Sequence, residues 1–290
     1  MNLPTSTVNG NSIIHRLASD AYHASDALGA STLKLMARSP WHAYKRGVDP
    51  GRPPNEPTLA MFAGTLAHCA ILEPDEFQHR YAIKPLGHDG RTRDGKQWLS
   101  ETAAKKLEVI TPEQHTTAWR QAEAVRALPD IAALLDGDGT SEVSAFWTQE
   151  VIEIESGEIS ALPCKCRPDR VCETTPREVV LLDIKTCRDA SEDAFARAIW
   201  NFRYDLQNVW YVDGYEAAAS VAVVGMVFVA VESDYPHAAV PYMLEEKDLD
   251  RARLTARALA ERFAKCKRTG EWPGYATTIQ PISLPAWAYS

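Results

Sequence analysis

The run Val179-Val180-Leu181-Leu182, followed at once by Asp183-Ile184-Lys185, constrains the fold more than any other stretch of the sequence. Four unbroken apolar residues, two of them β-branched, read as a short buried strand. Side chains alternate along a strand, so Asp183 and Lys185 share one face of its far end. Upstream, the segment Cys166-Arg167-Pro168-Asp169-Arg170 is basic and turn-prone, and it carries a second carboxylate at Asp169.

Other stretches fill in the architecture. Residues 221–231, VAVVGMVFVAV, are continuously apolar and read as a central strand buried on both faces. Residues 141–153 alternate as a half-buried strand, and 158–161 pair with them through the turn 155–157. With the Asp169 and Asp183 segments they predict an antiparallel meander of about three strands. A further strand is expected over 236–244. Helical periodicity covers 30–44 (interrupted at Ser39-Pro40), 58–72, 97–107, 112–128, 131–135, 191–219 (broken near 201–205) and 246–267. This order predicts the α/β class, with a central mixed β-sheet flanked by helices and a helical N-terminal region. The expected organisation is a flexible arm over 1–25 and a single domain over 26–290. Within that domain, 26–136 are helical, 140–245 form the sheet core, and 246–290 form a last helix and an extended tail.

Composition narrows the function classes. The 290 residues are 45% hydrophobic and 24% charged, an ordinary globular balance. No run approaches the roughly 20 apolar residues of a membrane span, and the N-terminus lacks a basic start and an apolar core, so a cytoplasmic protein is expected. Six cysteines in a chain without a secretory look predict reduced thiols. The formal net charge of −8 argues against a passive nucleic-acid coat protein. It leaves room for a DNA enzyme, in which acidic metal ligands offset a local basic track.

The chemistry-bearing residues converge on one reading. Asp169 and Asp183 supply hard oxygen ligands for Mg²⁺, and the Ile184 carbonyl supplies another. Lys185 lies where an ammonium would orient a water and stabilise charge on a phosphate. This set suits metal-dependent phosphodiester hydrolysis, although a D-x-K pair is also compatible with a surface ion pair. Gln207 and Tyr211 are four apart on a predicted helix and share a face, as active-site groups or as part of an ordinary amphipathic helix. His68 sits on the apolar helix 58–72, either as a hydrogen-bonded core histidine or as a ligand. Arg91, Arg93 and Lys96, with Trp98, lie in a basic, glycine-containing segment that reads as a DNA contact or as a solvated loop. Arg167, Arg170 and Thr186, which flank the acidic positions, are further candidate DNA contacts.

Six stretches in order, GTLAHCAILEPDEF, EVSAFW, CKCRPDRV, LLDIKT, DLQNVWYVDGYEA and the closing EWPGY…LPAWA, resemble the nuclease domains of the exodeoxyribonuclease VIII (RecE) family, in the RecB-like branch of the PDDEXK superfamily. The resemblance runs from about Ser31 to the C-terminus. It implies that His68, Asp169 and Asp183 are metal ligands, with Ile184 contributing its carbonyl. It also implies that Lys185 is the catalytic lysine, that Gln207 and Tyr211 form the family's Q-x-x-x-Y motif, and that Glu142 joins the catalytic set. The acidic residue two before the lysine is Asp183 itself, a departure from the superfamily pattern that RecE-like proteins share. The resemblance further implies digestion of linear double-stranded DNA from an end, 5′→3′, with Mg²⁺ (or Mn²⁺) as cofactor. The partners implied are DNA ends, a RecT-like annealing protein and further copies of the chain in a ring, with a tetramer as one form. The long region that precedes this domain in larger relatives has no counterpart, so a self-contained nuclease is expected.

Three other readings compete. An iron–sulfur nuclease needs a late cysteine group, and only Cys266 lies late. Zinc at Cys164-x-Cys166 with Cys172 lacks ribbon spacing, so plain thiols are preferred. A non-catalytic DNA-binding accessory protein has no need of converging carboxylates. A PDDEXK endonuclease would share the site and differ by cutting closed circles.

Overall fold

The structure is a computed structural model that describes residues 10–54, 56–152 and 157–284. The chain begins β1 (Ser12–Ile14), α1 (Ser19–Ala24), β2 (Leu28–Gly29), α2 (Ala30–Arg38), α3 (Pro40–Ala43), a π-helical turn (Tyr44–Val48), α4 (Leu59–Leu72), α5 (Pro74–Arg80) and β3 (Tyr81–Ile83). It continues α6 (Arg93–Ala104), β4 (Glu108–Ile110), α7 (Pro112–Arg126), α8 (Pro129–Asp136), β5 (Gly139–Ser141), β6 (Ser144–Ile152), β7 (Ile159–Cys166), β8 (Arg170–Thr175) and β9 (Glu178–Cys187). It closes with α9 (Glu192–Phe202), α10 (Tyr204–Ala219), β10 (Ala222–Glu232), β11 (Ala239–Tyr242) and α11 (Glu246–Thr269).

The apolar runs make the centre. β9 and β10 pair in parallel in a five-stranded sheet of order β11-β10-β9-β8-β5, whose other pairings are antiparallel. The sheet is therefore mixed, as the element order predicts. Alternate residues of β10 enter two separate cores. Met226, Phe228 and Ala230 pack with α2, α10 and α11, whereas Val227, Val229 and Val231 pack with α4, α7 and α8. Burial of a side chain such as Phe228, fully enclosed here, contributes about 1.5–3 kcal/mol.

The predicted three-strand meander is divided between two sheets. β6 and β7 belong to a four-stranded sheet of order β1-β6-β7-β2, while β8 and β9 belong to the five-stranded one. The hairpin β5–β6/β7–β8 bends between Ser141 and Ser144 on one arm, and between Cys166 and Arg170 on the other. Pro168, which has no N–H to give to a ladder, lies at this corner. Part of the predicted turn 155–157 and the end of the closing motif (285–288) lie outside the described residues.

Three further details differ from the sequence reading. The segment from residue 10 does not run free, because β1 adds to the edge of β6. The helix expected from 97 starts at Arg93, where Thr92 caps it by accepting from Gly95 N–H at 3.1 Å. β3 and β4 form a small parallel ribbon that short apolar stretches did not announce. The break between α9 and α10 falls where expected, at Arg203, whose φ is 54°. The described part of the tail lies along α3, with Trp41 N–H donating to Pro273 O at 3.1 Å. Among the described residues, no helix is long and apolar enough to cross a membrane.

Candidate active site

The site forms where β8 leaves β9. Their ladder ends at the pair Arg170↔Leu182, yet β9 continues beside β10 to Cys187. Backbone groups alternate sides along a strand, so Ile184 points its N–H and C=O toward the position β8 has vacated. Neither group is left bare. The N–H donates to Asp169 Oδ2 at 2.6 Å, and the carbonyl lies 3.0 Å from His68 Nε2. A buried backbone group without a partner is costly, and here side chains take over from the ladder.

Two elements bring those side chains in. Asp169 stands at the hairpin corner, and Glu142 stands opposite it in a left-handed conformation with φ 54°. Glu142 N–H donates to Asp169 O at 2.9 Å, so one corner fixes both acids. A non-glycine residue held in this conformation costs about 1–3 kcal/mol. His68 comes from α4, whose first turn is capped by Thr58 accepting from Met61 N–H at 3.2 Å. Gly64 is one turn earlier on the same face. A β-carbon there would stand 3.3 Å from Thr186 Oγ1, so glycine lets α4 lie close to β9.

One ligand atom each from His68, Glu142 and Asp169 lies within 4.8 Å of the others. His68 Nδ1 is 3.5 Å from Asp169 Oδ2. The crowding shows in the acidities. Burial, and then the charge of Asp169, push Glu142 up to about 7. Burial pushes Asp169 up to about 6, with His68 opposing and Asp183 adding to the rise. Carboxylates held reluctant to ionise beside a histidine nitrogen and the Ile184 carbonyl suit a hard divalent cation, which would relieve their repulsion. The donor set fits Mg²⁺ or Mn²⁺.

The opposite face of β9 carries Asp183 and Lys185. Asp183 is 1% exposed, so the pair is not a surface ion pair. Lys185 Nζ pairs with Asp183 Oδ2, and Gln207 Nε2 of α10 donates to Asp183 Oδ1 at 2.6 Å. Both oxygens of Asp183 thus face Lys185 and Gln207, while one atom each of His68, Glu142 and Asp169 forms the tight donor cluster found among the described residues. Burial pushes the Lys185 ammonium toward neutrality, but Asp183, Asp169 and Tyr204 outweigh it and hold its pKa above the usual lysine value. Tyr211 lies on the Gln207 face of α10. Burial, then Tyr22 and the carboxylates of Asp183 and Asp169, keep its phenol well above the usual value.

Sequence reading missed Lys34. Its Nζ donates to Gln207 Oε1 at 2.6 Å from α2. No local signal marked it, because its neighbours on that face of α2 include Ser31 and Arg38 as well as Ala30 and Ala37.

The expected DNA contacts separate into two groups. Arg167 is turned inward, donating to Ser144 Oγ at 2.7 and 2.9 Å and to Leu17 O at 3.0 Å. It clamps the corner that carries Glu142 and Asp169. Arg170 donates to Gly137 O at 2.9 Å. Both arginines spend these bonds within the fold, tying the Asp169 corner to Ser144, Leu17 and Gly137. Arg91, Arg93 and Lys96 are exposed, although Arg91 pairs with Asp89 at 3.1 Å. Arg93 and Lys96 lie in the first turn of α6, which packs on β4, and Arg91 lies in the loop before it. Thr186 is half-buried against α4. Cys164 and Cys166 point into the apolar core.

Comparison with known proteins agrees with this architecture. A crystal structure from Eubacterium rectale, described as a "putative exonuclease", superposes with a TM-score of 0.59 at 12% identity, covering 93% of this chain and 97% of that one. At that identity the likeness concerns the fold. A second solved chain, described as SSO0001, reaches a TM-score of 0.29 at 15% identity, over 73% of this chain and 87% of that one. No curated protein sequence matches the chain. The model of the family described as "PDDEXK-like domain of unknown function (DUF3799)" matches residues 29–285, and the chain therefore belongs to this PDDEXK-like family, whose fold is that of the PDDEXK nucleases.

Proposed function

We propose that the protein is a metal-dependent deoxyribonuclease that digests linear double-stranded DNA from an end. The observation that carries this reading is the cluster of His68, Glu142 and Asp169, within 4.8 Å of one another and at the same strand end as the Asp183–Lys185 pair. His68, Glu142, Asp169 and the Ile184 carbonyl would hold Mg²⁺. The RecE resemblance assigns Asp183 to the same cation. The cation, when bound, supplies Lewis acidity and a water of lowered pKa. Lys185, kept charged by its acidic neighbours, stabilises negative charge gathering on the phosphate and orients the attacking water. Gln207 holds the Asp183 carboxylate, and Tyr211 closes the site on the α10 side.

The RecE resemblance supports the finer points: 5′→3′ polarity, a 3′ single-stranded product, transfer to a RecT-like annealing protein, and a ring of several copies around the duplex. The deciding experiment is digestion of linear duplex labelled separately at its 5′ and 3′ ends, with and without Mg²⁺, beside closed circular DNA. Mg²⁺-dependent loss from the 5′ end with circles intact is the expected result. Cut circles would move the protein to the endonucleases. DNA binding without any cleavage would favour an accessory DNA-binding role.

A further inference from the structure

Lys34 lies 173 positions from Gln207 in sequence, yet its Nζ donates to Gln207 Oε1 at 2.6 Å. Gln207 Nε2 donates onward to Asp183 Oδ1 at 2.6 Å, and Lys185 pairs with the other oxygen of that carboxylate. The Lys34 ammonium also lies over the Tyr204 ring, 4.9 Å from its centroid, and Lys185 lies 4.8 Å from the same centroid. Two lysines from different elements thus converge on one aromatic ring, and Lys185 reaches the Asp183 carboxylate directly while Lys34 reaches it through Gln207.

The chain of donors has a single sense. An ammonium only donates, an ionised carboxylate only accepts, and a glutamine amide has one end of each kind. With Lys34 on its oxygen, Gln207 presents its NH₂ to Asp183. A flipped amide would set NH₂ against the ammonium and oxygen against the carboxylate, so both contacts would be repulsive. The Asp183 carboxylate already selects the NH₂ end of Gln207, and Lys34 adds a donor at the other end, so the flipped amide is disfavoured at both contacts. Asp205, the nearest acidic residue on α10, is occupied by Arg203 at 3.0 Å.

We propose that Lys34 is a positioning residue: it locks the Gln207 amide so that its NH₂ end holds Asp183 beside Lys185. This deepens the nuclease reading above and rests on it. Burial of Lys34, and then the charge of Lys185, push its pKa down to about 7, with Asp183 and Asp205 opposing the fall.

The test is a double-variant cycle with Lys34→Met, Gln207→Ala and the pair, measuring kcat and KM on linear duplex at saturating Mg²⁺. Each single variant is expected to lower kcat by roughly 10–100-fold, as loss of a supporting partner does, with KM for DNA unchanged. The pair is expected to fall within about threefold of Gln207→Ala, because a chain already broken cannot be broken again. Losses that multiply, or a rise in KM alone, would overturn the proposal by placing Lys34 on the DNA or in the general packing. A second measurement needs no cleavage. With ¹⁵N-glutamine labelling, the Gln207 side-chain amide is identified by its absence from Gln207→Ala, and it should shift in Lys34→Met. An unmoved resonance overturns the proposal. If the wild-type protein does not cut DNA, the nuclease reading fails, and the resonance alone decides whether Lys34 orients Gln207.

Discussion

The Asp169 carboxylate accepts the backbone N–H of Ile184 at 2.6 Å, standing in for the strand that has turned away. One residue therefore completes the sheet edge and contributes to the candidate metal cluster. The two roles separate by substitution. Asp169→Asn keeps an oxygen for Ile184 but removes the charge. Thermal melting should stay near wild type, while Mg²⁺-dependent cleavage should fall by more than the roughly 10–100-fold typical of losing an outer partner. A large loss of melting temperature with cleavage retained would remove Asp169 from the metal set.

Asp183 and Lys185 are better probed by shape-conserving changes than by alanine. Removing one member of a buried pair leaves an uncompensated charge, at about 3–5 kcal/mol. Asp183→Asn and Lys185→Gln also leave the partner's charge unpaired, but they keep a polar side chain in place and open no cavity as alanine would. Each should lower the cleavage rate by about 10²–10³-fold, the scale for losing a group that stabilises transition-state charge. DNA binding, measured by anisotropy in Ca²⁺, should persist in both, and retained cleavage in either would sink the assignment.

Gly214 sits two turns beyond Gln207 on the same side of α10, against Trp147. A β-carbon there would fall 2.3 Å from the indole ring. Glycine in a helix interior costs about 1 kcal/mol relative to alanine, so the residue is retained for this contact. Gly214→Ala should destabilise by about 1–3 kcal/mol through overpacking and lower cleavage by displacing Gln207. Urea unfolding checks the first effect, and kinetics the second.

The raised acidities of Glu142 and Asp169 make a signed prediction. Their folded pKa values, about 7 and about 6, lie above the ordinary carboxylate range. Between that range and about pH 7 the folded protein binds more protons than the unfolded chain, so metal-free stability should fall as pH rises. A cation needs both groups ionised, so its affinity should climb over the same window. Mn²⁺ calorimetry and melting from pH 5 to about 8 test this, with the metal-induced rise in melting temperature growing toward neutral pH. A rise independent of pH would count against these carboxylates as ligands.

Arg91, Arg93 and Lys96 should affect DNA affinity, and Arg167 should affect stability. The triple alanine variant is expected to reduce the slope of log K against log salt by up to about 0.9 for each phosphate it no longer neutralises. Arg167→Ala removes charge-assisted bonds to Ser144 and Leu17 and should cost about 1.5–3 kcal/mol in folding, with the salt slope unchanged. An unchanged slope in the triple variant would take α6 out of the DNA interface.

The sequence alone determined what depends on local period and on residue chemistry. Pleat alternation put Asp183 and Lys185 on one face of β9, helical spacing put Gln207 and Tyr211 on one face of α10, and unbroken apolar runs marked β9 and β10 as central. Tertiary structure decided what depends on partners far away in the chain. It split the meander between two sheets at Pro168, turned Arg167 inward, and swung His68 of α4 onto the carbonyl of Ile184, 116 positions away. It also delivered Lys34 to Gln207 from a helix whose pattern shows only an amphipathic face. Period is a property of a few consecutive residues and is written in them. Which helix covers which strand end follows from how whole faces pack, and no short stretch of sequence carries that information.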